Sequence, residues 1–167
     1  MRRHNQSGAI MLETVMFTPI LLLLLLGMIE LARITYTYYT VQKTLYAVGR
    51  LLGTQQGVNF CDDTDTAIQN AKNMALTGTE DGAGTPYIGG LTADLIQVRI
   101  ERFTASTGDI GECECSATAC DTLNGGQPPD YVVVSIPSGF PVTLRIPGIP
   151  TDPILLRPRV RLPFQGT

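Results

Sequence analysis

The chain has 167 residues, 44% of them apolar and only 16% charged, with a formal net charge of -3. That is too apolar for a disordered chain and short of charge for an ordinary soluble one, and the acidic balance speaks against nucleic acid as a partner, which needs a basic patch. With His4 the single histidine, a multi-histidine metal site or a histidine-dependent triad is excluded unless His4 takes part.

The chain opens on a short, polar, basic segment, Arg2-Arg3-His4-Asn5-Gln6-Ser7-Gly8. An apolar run follows from Ala9 to Ile29, with Leu21 to Leu26 all leucine and Glu13 the only charge. At about 1.5 Å per residue that run spans roughly 30 Å, the thickness of a bilayer core. It is longer than the apolar core of a cleaved secretory signal, and no small-x-small site follows it, so a retained membrane helix is expected. Arg2 and Arg3 hold the N-terminus in the cytoplasm and send the rest of the chain outside. Glu13 is the anomaly: a carboxylate at the centre of a membrane helix costs about 2.5–3.5 kcal/mol, and less toward the interface. Such a residue calls for a role.

A basic leader ending in glycine, an apolar span starting at the next residue and a glutamate five residues past the glycine together resemble the prepilin signal of type IV pilins and pseudopilins. Pilins and secretion pseudopilins mostly begin with Phe-Thr-Leu-Ile-Glu, which this chain lacks. Gly8, Glu13, Pro19, the leucine run, Gly27, Glu30 and Arg33 are instead similar to the TadE-like family, minor pilin-like subunits of the tight-adherence (Tad, or Flp) pilus system. Val15 stands where that family commonly has alanine. The resemblance covers residues 7–52 and implies cleavage between Gly8 and Ala9 by a prepilin peptidase, with the apolar helix kept as anchor. It implies as partners that peptidase, other pilin or pilin-like subunits, inner-membrane Tad assembly proteins and membrane lipid, with no cofactor and no enzymatic activity. Cleavage would place an ammonium on Ala9 in apolar surroundings. Glu13 can neutralise it, within one subunit or between neighbours, and so set their axial register, because an unpaired buried charge costs several kcal/mol.

Beyond the span, Leu31, Ile34, Tyr38, Val41, Leu45, Val48 and Leu52 alternate spacings of three and four, an apolar stripe along one helix face. One helix from Ala9 to Leu52 is expected, loosened at Pro19 and ended by Gly53-Thr54-Gln55-Gln56-Gly57. Tyr36, Tyr38 and Tyr39 fit an interfacial belt just outside the membrane, while packing against the sheet fits Tyr38 equally well and Tyr46 better. The expected organisation is a leader (1–8), a transmembrane helix (9–29), its extramembrane continuation (30–52) and an outer domain (53–167).

In the outer domain, Asp62 to Gly78 reads as a second helix, with an acidic capped start, Ile68, Ala71 and Ala75 on one face and Gly78 as the stop. Capping explains the acidic start more simply than calcium does, and no metal site is expected. Four strand candidates follow: Ile96 to Glu101, Tyr131 to Ile136 as a central strand, Val142-Leu144-Ile146, and Leu156 to Leu162. The last puts Arg157, Arg159 and Arg161 on one face, with Pro153, Pro158 and Pro163 marking an edge. The fold class is α+β, a long N-terminal helix on a small antiparallel sheet.

Charge is segregated: 12 acidic and 3 basic residues between Cys61 and Asp130, then 1 acidic residue against 4 arginines from Tyr131 onward. The arginines either match that acidic surface internally or form a docking strip for an acidic neighbour. Cys61, Cys113, Cys115 and Cys120 all fall on the outer side, where disulfides form. Cys113 and Cys115 are too close to pair together, so each is expected to pair with Cys61 or Cys120, one bridge tying the second helix to the loop and the other closing a small loop. Zinc is the alternative, and a redox Cys-x-x-Cys is absent.

The functional expectation is a minor pilin-like subunit in the bacterial inner membrane, with its N-terminus cytoplasmic, its outer domain periplasmic, and incorporation into a pilus open to it. An uncleaved, signal-anchored binding protein is the alternative. No convergent acid, base and nucleophile supports an enzyme.

Overall fold

The computed structural model describes residues 7–116, 119–145 and 151–166. A single helix, α1 (Ser7–Thr54), runs uninterrupted through Pro19 and ends two residues past the expected Leu52. Its threonines do not compete with helix formation, because their hydroxyls donate to carbonyls one turn back: Thr18 to Thr14 (2.6 Å), Thr35 to Leu31 (2.8 Å), Thr37 to Arg33 (2.9 Å) and Thr40 to Tyr36 (2.8 Å). A hydroxyl satisfied inside its own helix needs no water.

The second helix, α2 (Thr66–Thr77), is shorter than expected at its start. Asp65 is the cap, accepting from the Ala67 N–H at 2.8 Å, while Asp62 accepts from the Thr64 N–H and hydroxyl in the preceding turn. Those side-chain bonds hold Asp62 and Asp63 outside the helix. Gly78 ends α2 at φ 80°, in the left-handed region that suits glycine.

Six strands follow: β1 (Gln97–Thr104), β2 (Asp109–Glu112), β3 (Tyr131–Ser135), β4 (Phe140–Val142), β5 (Ile154–Leu156) and β6 (Arg159–Pro163). Four form an antiparallel sheet in the order β2-β1-β3-β6, and β4 pairs with β5 separately. The expected central strand is β3, flanked by β1 and β6. Two strand expectations need correction. The span Leu156 to Leu162 is two strands, parted at Arg157-Pro158, because Pro158 lacks an N–H and the chain changes sheets there. Val142-Leu144-Ile146 is strand only up to Val142; Leu144 lies beyond it, and Ile146 falls outside the described residues. A strand not foreseen, β2, pairs with β1 inside the region read as loop.

The core lies between α1, α2 and one sheet face. Val41, Leu45, Val48 and Leu52 are fully buried there against Ile68, Ile96, Val98, Val132, Val134 and Val160. Each such side chain contributes roughly 1.5–3 kcal/mol of burial. Gly49 lets the helix come close: a Cβ there would stand 2.6 Å from Leu162 Cδ1 and 3.3 Å from Val134 Cγ2.

Candidate functional site

The sequence-predicted residues fall into three places: the bare lower helix, the helix where it meets the domain, and the solvent face of the sheet. In the first, Gly8 is helical and a side chain there would meet nothing within 4 Å. Ala9 follows it in the same helix. Glu13 is exposed one turn further on, with no ion-pair partner among the described residues. Every residue from Met11 to Ile29 is exposed; Leu21 to Leu25 are 56–62% accessible. An apolar surface open on all sides of a helix is unstable in water and stable in lipid or against other helices. Gly27, like Gly8, faces open space.

At the second place Glu30 and Arg33 form an ion pair one turn apart, 3.6 Å between Oε2 and Nη1. The Glu30 side chain is only 13% exposed. The pair carries the helix from its lipid-compatible surface to its domain-facing surface without a lone charge. Tyr36 and Tyr39 are 74% and 65% exposed and Tyr38 is 36% exposed, so the first two lie away from the sheet.

At the third place, Arg159 and Arg161 are both drawn to Glu101 on β1. Arg159 reaches one carboxylate oxygen and Arg161 Nε the other at 2.8 Å. The Arg161 guanidinium also lies 4.1 Å from the centre of the Tyr131 ring. Arg99 donates to both oxygens of Glu112 at 2.6 Å. Glu101 and Glu112 stand directly opposite one another on β1 and β2, a like-charge pairing that would destabilise the strands without the three arginines. Arg157 sits apart, exposed between β5 and β6, with no ion pair among the described residues. The arginine strip is thus two internally matched side chains and one unmatched. Glu101 was legible only as the polar position of an alternating strand; its partners lie 58 residues away and more.

The cysteines pair as Cys61–Cys115 and Cys113–Cys120, one of the two connectivities left open by the spacing. The first ties the approach to α2 to the segment after β2, and the second closes the small loop. All four sulfurs are therefore committed to bridges. Asp62 titrates below the usual carboxylate range because the Thr64 hydroxyl and N–H bond to its charged form. Lys72 on α2 is 4% exposed, and burial pushes its ammonium below the usual lysine range against the opposing pull of Asp63 and Asp94.

A single long helix, bare and apolar below and packed on an α+β domain above, defines a membrane-anchorable architecture. A model of the family described as TadE-like protein matches residues 8–50. The resemblance carried by Gly8, Glu13, Pro19, Gly27, Glu30 and Arg33 is therefore found again over that stretch, where the chain is similar to that family. No curated protein and no solved structure matches the chain. The TadE-like family is a structural, pilus-related one, and together with the apolar helix it fits a pilus-associated protein.

Proposed function

We propose that this chain is a minor pilin-like subunit of a Tad/Flp-type pilus, cut after Gly8 by the prepilin peptidase and kept in the inner membrane by its apolar helix. The observation that carries this reading is the coincidence of two boundaries. The family match begins at Gly8, where the basic leader ends, and the helix beyond it stays bare of the domain to Ile29.

In this reading the new Ala9 ammonium and Glu13 pair between adjacent helices and fix their register, while Glu30 and Arg33 mark where the helix leaves the bilayer. The outer domain, periplasmic and stapled by disulfides, meets other subunits and the Tad assembly proteins. Arg157 is the free member of its docking strip.

The test is complementation in a strain lacking the chain. Glu13→Ala is expected to insert and to be cut, yet to reduce surface pili severalfold, and Glu13→Asp to restore part of the loss. Unchanged pili with Glu13→Ala would remove the register role. Pili unaffected by loss of the whole chain would remove the assembly role.

A further inference from the structure

The two edge strands of the four-stranded sheet carry opposite charge. Along β2 and just after it lie Asp109, Glu112 and Glu114; along β6 and just before it lie Arg157, Arg159 and Arg161. Both edges are unpaired among the described residues. On β6, the Ile136 N–H donates to the Pro158 carbonyl (3.3 Å) and the Phe164 N–H to the Asp130 carbonyl (2.9 Å). Even-numbered residues of β6 thus face β3, and the main-chain groups of Arg159 and Arg161 point outward. On β2, the Cys113 N–H donates to the Ile100 carbonyl (2.9 Å), so Ile110 and Glu112 point outward.

We propose that outer domains of two copies join head to tail, β2 of one adding to β6 of the next. Four antiparallel strands make this possible, since with an even number the two edges run in opposite directions. A second copy laid alongside therefore meets the first in antiparallel pairing, with its α1 on the same side of the sheet. Setting Arg159 opposite Glu112 places Arg161 opposite Ile110 and Arg157 near Glu114. A row of alternating charge then crosses the junction: Glu101, Arg159, Glu112 of the second copy, and its Arg99. The same charges oppose the two symmetric alternatives, β2 on β2 and β6 on β6, where like charges would face each other. Pro163, outward-facing and without an N–H, limits how far the ladder runs along β6.

Sheet twist of about 20–25° per strand turns the second copy by roughly 80–100°. The contact is heterologous, and because a third copy would be turned by about 160–200°, chains anchored in one bilayer join in pairs. The two α1 helices then cross at a wide angle, and a shared bilayer requires the lower end of that turn, about 80°, with each helix tilted near the ~40° upper end of observed spans. The contact lies between outer domains and does not depend on cleavage after Gly8.

The test uses Arg157 and Glu114, whose side chains form no ion pair among the described residues. Isotopically light and heavy full-length Arg157→Lys chains are mixed in detergent and treated with a zero-length carbodiimide. A light–heavy cross-link between position 157 and Glu114, lost with Glu114→Gln, is expected. Within one copy the two edges are three strand spacings apart, about 14 Å, beyond such a reagent. Absence of that link, or its persistence with Glu114→Gln, overturns the proposal. A second readout covers misfolding of the lysine variant: co-purification of two differently tagged copies should fall severalfold in Arg157→Glu and in Glu114→Arg and return in the double variant. Equal co-purification in all of them means that the helices alone drive association, and the edge pairing is wrong.

Discussion

The lower and upper halves of α1 are one continuous helix with opposite fates. Leu21 to Leu25 are more than half exposed, whereas Val41, Leu45, Val48 and Leu52 are fully buried. The lower half is the more apolar, yet it is the upper half that the domain covers. Total hydrophobicity therefore does not decide where a helix is buried; its distribution does. Apolar residues on every side leave no face for water, which suits lipid or a bundle of like helices. A stripe with Lys43 and Arg50 on the other side suits one sheet.

The comparison is sharpened first by the disulfides, which belong wholly to the upper region. Removing Cys61–Cys115, which closes 54 residues, should cost about 4 kcal/mol by loop entropy, against about 2 kcal/mol for the 7-residue Cys113–Cys120 bridge. Denaturation in detergent, followed by tyrosine fluorescence, reads both, and membrane insertion should be unaffected by either.

Next come paired substitutions in the two halves. Leu45→Ala should remove about 3 kcal/mol from the outer domain through the cavity it leaves, while Leu23→Ala should leave that stability unchanged. Conversely, Leu23→Arg should cost about 3–4 kcal/mol of membrane insertion without shifting the domain's denaturation midpoint. If Leu23 variants destabilised the domain as much as Leu45→Ala, the division of α1 would be wrong.

The smallest expected effect is at Lys72. Its folded-state pKa is lowered from 10.5, chiefly by burial, so the unfolded chain binds the proton more readily. Stability should therefore rise as pH climbs from the lowered value toward 10.5, with the full cost present below it. Lys72→Met should raise the thermal midpoint at neutral pH, and the gain should shrink as pH approaches 10.5.

Much of this was legible in the chain because it is local. The spacing from Leu31 to Leu52 marked the helix and its buried face, alternation marked β1, a β-branched run marked β3, and Gly78 marked the end of α2. The departures share a non-local cause. β2 holds four residues including Gly111, too short and mixed to show alternation, and forms because β1 offers it an edge. The break at Pro158 depends on which strand each half pairs with. The partners of Glu101 and the choice between two disulfide connectivities follow from chain segments brought together by the sheet. Even the site behaves this way: Gly8, Glu13, Glu30 and Arg33 lie in one helix and could be read in order, whereas the match of Arg159 and Arg161 to one carboxylate could not.

The central claim, that the chain is cut after Gly8 and keeps its apolar helix, is met most directly by intact mass and N-terminal sequence. The protein would be taken from its native membrane in strains with and without the prepilin peptidase. A mature chain beginning at Ala9 only when the peptidase is present, and lost in Gly8 variants, is the result the account predicts. A chain that begins at Met1 or Arg2 in both strains would contradict it and leave an uncleaved anchor carrying a binding domain.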